Sequence, residues 1–263
     1  PQHLPKGSVY PSVVLLRYGE DRAMVHGIEL GERECAGARL ALVRHAAGLV
    51  TPRHDHGTAC LHVVLRGLYI EHSPAGTIAA CPGETVVKDA GAEHWNQFGA
   101  AGAESLRVEL RDPGVPLVEH LTAPTTARVK HALDLSRALR DTSPIGPTGD
   151  PEDAATRAAP QVELLARLQT GFRSTLRLGQ LAQELGVHRS HLTRQFTRDF
   201  GCSPQAWILL KRCAYAAERL ACGSDTVAAI ASDAGFADQS HLVRTFRRVL
   251  RTTPSRWSRN AAG

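Results

Sequence analysis

The apolar residues of this 263-residue chain change their spacing near residue 112. Before that point they form short β-rich runs at 13–18, 24–30, 39–45, 59–65, 68–71, 85–88, 95–98 and 105–110. Glycines and prolines punctuate these runs, at Gly31, Gly48, Gly57, Gly67, Gly76, Pro82-Gly83, Gly91 and Gly99. Many short strands at close spacing predict a small sandwich or barrel. Beyond it, 115–121 and 127–140 have helical spacing, with Val129, Leu133, Ser136 and Leu139 on one face. The 127–140 helix either packs on the β half or forms a homodimer seam through Leu133. Residues 141–160 carry Pro144, Pro147, Pro151 and Pro160 with Gly146 and Gly149, the composition of a mobile linker. Helical spacing resumes at 161–169. The expected organisation is a β domain over 1–112, a helical linker over 113–160 and an all-α domain over 161–263.

The all-α half repeats itself. Shifted by 50 positions, Ser190, His191, Leu192, Arg194, Phe196 and Arg198 fall on Ser240, His241, Leu242, Arg244, Phe246 and Arg248, and Pro204 and Trp207 fall on Pro254 and Trp257. A repeat is to be identified before its residues are interpreted. In each copy a short apolar face (Leu178, Leu181, Ala182, Leu185; then Val227, Ile230, Ala231, Ala234) ends at a glycine, Gly186 or Gly235. Glycine there fits a left-handed helix end. A second helix follows, with Asp238 a natural N-cap in the second copy. The unit is helix, tight turn, helix, present twice. Ser203-Pro204 reads as the cap and first residue of a long connecting helix. Some 19 residues at ~1.5 Å each span about 30 Å, close to the ~34 Å turn of DNA.

Packing alone would repeat only the buried face. Here the polar face recurs as well: Ser190, Arg194 and Arg198 in one copy, Ser240, Arg244 and Arg248 in the other. Arginine bonds guanine bidentately in the major groove, and small polar residues early in a recognition helix approach bases or phosphates. The segments "LAQELGVHRSHLTRQFTRDFGCSP" and "VAAIASDAGFADQSHLVRTFRRVLRTTPSRW" resemble the DNA-binding domain of the AraC/XylS transcriptional regulators over about residues 160–260. The resemblance implies base-facing roles for Ser190, Thr193 and Arg194 in the first recognition helix and for Ser240, His241 and Arg244 in the second. It implies double-stranded DNA, read in two successive major grooves, and RNA polymerase as partners. One departure is Arg251, which stands where the pattern has the glycine ending the helix.

Charge agrees with this division. From residue 161 onward there are 15 Lys and Arg against 7 Asp and Glu; residues 1–160 carry 16 against 19. The basic half is the DNA-facing half. No apolar run reaches the ~18 residues of a membrane span, and a cytoplasmic chain is expected. Six irregularly spaced cysteines do not suggest a disulfide framework.

Ten of the thirteen histidines lie in residues 1–160. His54 and His56, two apart in extended backbone, project to one side, and His94 is a third imidazole from another strand. Three imidazoles can share one metal ion. "GLVTPRHDHGTACLHVVLRG" and "GETVVKDAGAEHWNQF" resemble the two motifs of a cupin barrel, with Cys60 at the expected glutamate position. The expected fold is therefore an all-β cupin-like barrel followed by an all-α domain with two helix-turn-helix motifs joined by a long helix. A thiolate beside three imidazoles suits zinc, so the expected site is Zn²⁺ on His54, His56, Cys60 and His94. His62 is a spare ligand or pocket wall. Tyr69 and Glu71 alternate with Leu68 and Ile70, so one pair faces the interior; if it is the first, Glu71 sets ligand polarity.

The expected function is a DNA-binding transcriptional regulator, not an enzyme, controlled by a metal or small effector in the barrel. Two alternatives stand beside it. One is a metal-dependent cupin enzyme, which a zinc site closed by Cys60 disfavours. The other is a regulator with structural zinc and a separate organic effector.

Overall fold

The computed structural model describes residues 27–35, 37–111, 129, 132–136, 139, 160–223 and 225–261. The runs expected at 13–18 and 115–121 and the linker up to 159 lie outside them. The described strands are β1 (Ile28–Cys35), β2 (Ala38–His45), β3 (Cys60–Ser73), β4 (Gly76–Ala80), β5 (Thr85–Lys88) and β6 (Trp95–Leu110). They pair as one antiparallel sheet in the order β1-β2-β6-β3-β4, with β5 also on β3. The expected all-β half is present, but as an open sheet: β1 and β4 are its ends, and no pairing between them closes a barrel among the described residues. The runs expected at 59–65 and 68–71 are one long strand, and so are those at 95–98 and 105–110.

That merging explains how β3 places its side chains. Its register on β6 shifts between Val64 and Arg66 and again between Gly67 and Tyr69. A bulge changes which face a given parity occupies. Leu61, Val63, Leu65, Leu68 and Ile70 join the main hydrophobic core, whereas Val64 and Tyr69 join a smaller cluster with Ala80, Val86 and Phe98. Neither of the alternating pairs faces solvent: Leu68, Tyr69, Ile70 and Glu71 are all buried.

The helical half consists of α1 (Pro160–Gly171), α2 (Leu178–Glu184), α3 (Arg189–Phe200), α4 (Pro204–Cys222), α5 (Val227–Asp233), α6 (Gln239–Leu250) and α7 (Pro254–Ala261). The caps follow the sequence closely. Ser203 accepts from the Ala206 amide ahead of Pro204, and Asp238 accepts from the His241 amide at 2.6 Å. Helix α3 ends on left-handed Gly201 at φ 71°. Helix α6 ends the same way on Arg251 at φ 55°, a left-handed residue with a side chain. The departure from glycine therefore keeps the cap geometry.

One core runs through both halves. The sheet residues Leu61, Leu68, Ile70 and Leu106 belong to the same cluster as Leu165, Phe196, Trp207, Phe246 and Trp257. Val129, Ala132–Ser136 and Leu139 are helical, and Leu133 is buried in that cluster, so this helix packs within the chain. The repeated tryptophans show how the copies diverge. Trp257 Nε1 donates to the Ala217 carbonyl in α4, but Trp207 Nε1 donates across the halves to the Pro82 carbonyl at 3.0 Å. Around it, the Ala79 amide donates to Glu218 at 2.8 Å and Lys211 pairs with Glu84 at 2.5 Å.

The two turn glycines make a paired test. Both have positive φ, 66° at Gly186 and 82° at Gly235. A Cβ on Gly186 would meet nothing within 4 Å, while one on Gly235 would lie 2.2 Å from the Arg173 carbonyl oxygen. Gly186→Ala should cost about 1–2 kcal/mol in urea unfolding, the left-handed penalty alone. Gly235→Ala should cost distinctly more, because a backbone carbonyl must move. Equal losses would contradict this packing.

Candidate DNA interface and histidine site

The 3.6-residue period that buries Leu192, Phe196 and Phe200 in α3 turns Ser190, Arg194 and Arg198 outward, and all three are exposed. In α6, Leu242, Phe246 and Leu250 are buried and Ser240, Arg244 and Arg248 are exposed. Thr193 and His241 are half-buried. Every residue expected to meet DNA is thus on the accessible side of its helix. The connector α4 has 19 residues, or about 28 Å of helix.

The sheet reaches the C-terminal ends of both recognition helices. Arg66 of β3 donates to the Arg198 carbonyl at 2.9 Å. Arg251, closing α6, points at the Ala100 carbonyl at 3.5 Å, and a Cβ on Gly99 would lie 3.3 Å from the Val249 carbonyl oxygen. These contacts hold the far ends of the helices and leave the outward faces open.

On the opposite face of the sheet, a bridge between the 54 and 94 positions brings three imidazoles together. Ligand nitrogens of His54, His56 and His94 all lie within 4.8 Å of one another. His54 Nδ1 lies 2.8 Å from the Pro52 carbonyl and His94 Nδ1 lies 2.9 Å from the Ala92 carbonyl. A carbonyl only accepts, so each Nδ1 carries the proton and each Nε2 keeps its lone pair. This is how a second sphere orients metal-binding histidines.

The expected fourth ligand is not in this group. Cys60 is buried on β3 with Sγ 3.9 Å from His62 Nε2, and burial pushes its thiol up to about 11. His62 is turned toward Ser105 Oγ at 3.3 Å and packs 5.2 Å from the Tyr69 ring. The reason lies in the backbone: Cys60 and His62 belong to β3 proper, while His54 and His56 precede it and pair with the 94 region. The residue that does reach the imidazoles is Lys88, which sequence reasoning missed. Its ammonium donates to His94 Nε2 at 2.7 Å and pairs with Glu71 at 2.9 Å. The available signal was alternation in β5, where Val86 and Lys88 are buried and Val87 between them is exposed. Glu71 therefore faces the interior, as one of the two readings required, and its partner there is a lysine.

Comparison with known proteins points to the helical half. Residues 181–260 match the family model for a helix-turn-helix domain. The virulence regulon transcriptional activator VirF of Yersinia enterocolitica is 31% identical over 96 residues, 36% of this chain and 35% of that protein. The HTH-type transcriptional regulator ExsA of Pseudomonas aeruginosa is 34% identical over 89 residues, 34% of this chain and 32% of that protein. The match thus spans about a third of the length of these curated relatives. Among solved structures, ToxT from Vibrio cholerae aligns over 86% of this chain and 100% of its own, at 10% identity and a TM-score of 0.39. No helix of the described residues is long and apolar enough to cross a membrane.

Burial holds His54, His56, His62, His72 and His94 below the ordinary imidazole value, His56 at about 3 and His72 at about 4. Unfolding releases these rings into water, where they titrate near ~6.5. Below that value the unfolded chain binds more protons than the folded one, so stability present above it is lost as pH falls. The urea midpoint should drop between pH ~7 and ~4.5, and His72→Phe should flatten the slope. A pH-independent midpoint would contradict the buried placement.

Proposed function

We propose, from the premise that residues 181–260 are an AraC-type helix-turn-helix domain, that the whole chain is a sequence-specific DNA-binding transcriptional regulator whose β half senses a metal or small effector. The observation that carries the DNA reading is the doubled polar face. Ser190, Arg194 and Arg198 recur as Ser240, Arg244 and Arg248, and all six stay exposed while the sheet is docked against both helices. Thr193 and His241 complete the two reading faces. The names of VirF and ExsA describe regulators, which supports a regulator rather than an enzyme. RNA polymerase is the partner of such a protein when it activates. A homodimer seam through Leu133 loses its support, because that side chain is spent on the core.

The coupling runs through direct contacts. Arg66 on the Arg198 carbonyl and Arg251 at the Ala100 carbonyl tie the sheet to the ends of both recognition helices. A change in the β half that moves either strand biases the separation of α3 and α6, and DNA binding must bias the β half by the same free energy.

His54, His56 and His94 are the residues that would hold a metal ion, and zinc accepts three imidazoles with one further ligand. With Cys60 outside the group, that further position is open to solvent or to an effector donor atom. The argument against an enzyme from a closed zinc site is lost with it, and the regulator reading rests on the helical half. Lys88 must leave His94 Nε2 when a metal takes that nitrogen, and Glu71 is the partner that retains its ammonium.

Two measurements test these readings. A specific duplex is first selected from a randomised pool. Arg194→Ala and Arg244→Ala should then each weaken its binding by about 1–3 kcal/mol, and unchanged affinity in both would sink the recognition-helix assignment. For the metal, zinc titrated calorimetrically into chelator-treated full-length protein should bind at one equivalent per chain. His94→Ala should abolish uptake, Cys60→Ser should leave it unchanged, and Lys88→Met should tighten it. Absence of zinc uptake by the native chain would remove the metal reading.

A further inference from the structure

The two recognition helices begin on different residues. His188 and Asp238 hold the same place in the two copies, each as the N-cap of its helix. Asp238 caps in the usual way, its carboxylate accepting from the His241 amide at 2.6 Å. Histidine is not among the residues favoured at an N-cap, and His188 acts on a nearer partner. Its Nδ1 accepts from the Ser190 amide at 3.3 Å and lies 2.7 Å from the Ser190 hydroxyl oxygen. An amide N–H can only donate, so this Nδ1 carries no proton. The short contact is therefore a bond donated by the Ser190 hydroxyl, whose single proton is engaged on the ring. No corresponding bond joins Asp238 to the Ser240 hydroxyl among the described residues. His188 and Ser190 are both exposed, and Ser190 shares the outward face of α3 with Arg194.

A hydroxyl whose proton is engaged can only accept from a further partner. Phosphate oxygens, guanine O6 and N7 and thymine O4 are acceptors too, so Ser190 held this way bonds to none of them. The donors in the major groove are the exocyclic amino groups, adenine N6 and cytosine N4. We propose that His188 is a positioning residue for base recognition. By holding the Ser190 hydroxyl proton in a hydrogen bond, it fixes Ser190 as an acceptor for the amino group of an adenine or a cytosine. Arg194, one turn further on, only donates, so α3 presents an acceptor and then donors in a fixed order. Ser240, with no bond to its cap, can turn its proton toward a phosphate or a base acceptor, and it discriminates less. The repeated serines are identical in sequence and unlike in chemistry. This role of His188 rests on the reading of α3 as a recognition helix.

The full-length protein is titrated with the selected duplex and with its single-base-pair variants. The pair that Ser190 reads is the one where Ser190→Ala flattens the preference. At that pair, adenine is replaced by purine, or cytosine by the pyrimidinone lacking N4, which deletes the amino group. This should weaken the native protein about three- to tenfold more than it weakens Ser190→Ala. A deaza analogue lacking N7 of the purine should affect the two proteins equally. His188→Ala should lose the dependence on the amino group although Ser190 is still present. His188→Asn, whose amide oxygen can accept the same hydroxyl, should restore it, and circular dichroism checks that both variants fold. A loss in Ser190→Ala that is uniform over all sequences, or no loss at all, overturns the proposal. So does coupling of Ser190 to N7, or an amino-group dependence that survives His188→Ala. The recognition-helix reading is tested separately by Arg194→Ala and Arg244→Ala on the same duplex. If both leave affinity unchanged, that reading falls; if both weaken binding and Ser190 shows no coupling to the amino group, only the role of His188 falls.

Discussion

Tyr69 and Ile70 are neighbours on β3, and both are buried, in different clusters on opposite faces of the sheet. Much of the molecule depends on that two-sided burial. A strand with one wet face would alternate apolar and polar residues, and the helical half would need no contact with it. Here the Leu68–Ile70 face is covered by the same core that holds Trp207 and the Leu-Phe stripes of both recognition helices. Removing the helices would expose that face to water. The two halves are therefore joined by packing, and the polar contacts at Trp207, Glu218 and Lys211 fix the orientation in which they pack.

The opposite face explains why the chemistry collects where it does. Burial of Tyr69, Phe98 and Val86 creates an apolar lining, and every ionisable group beside it must be neutral or paired. The imidazoles are neutral because burial holds their values down. Lys88 stays close to Glu71 because an isolated buried ammonium would be costly. The same desolvation that keeps the imidazoles neutral brings the Lys88 ammonium onto His94 Nε2. The Lys88 ammonium thus bridges His94 and the Glu71 carboxylate in one buried network.

The contacts between the halves are placed at the ends of the two recognition helices. The polar faces of α3 and α6 stay exposed, and the sheet covers neither. It touches the last turn of each recognition helix, at the Arg198 carbonyl and beside Val249 and Arg251. Contacts at both ends tie the positions of α3 and α6 to one sheet.

The helical half was legible in the sequence almost residue by residue. Helix periodicity, caps and turn glycines are local, and a repeat states them twice, so Ser203, Pro204, Asp238 and the exposed arginines could be placed from spacing alone. The division into β and α halves was equally plain. The imidazole trio was also visible, since two of its members are neighbours in the chain and the third was reached by resemblance to a two-motif barrel. What only the tertiary structure decided are the things set by strand register and by contact between halves. The double register shift in β3 put Glu71 inside with Tyr69, the pairing of the 54 and 94 positions left Cys60 outside the group, and β5 carried Lys88 in to His94. Leu133 could have faced a partner until the core claimed it. Register and docking depend on which distant segments meet, and one sequence read along its length does not contain that information.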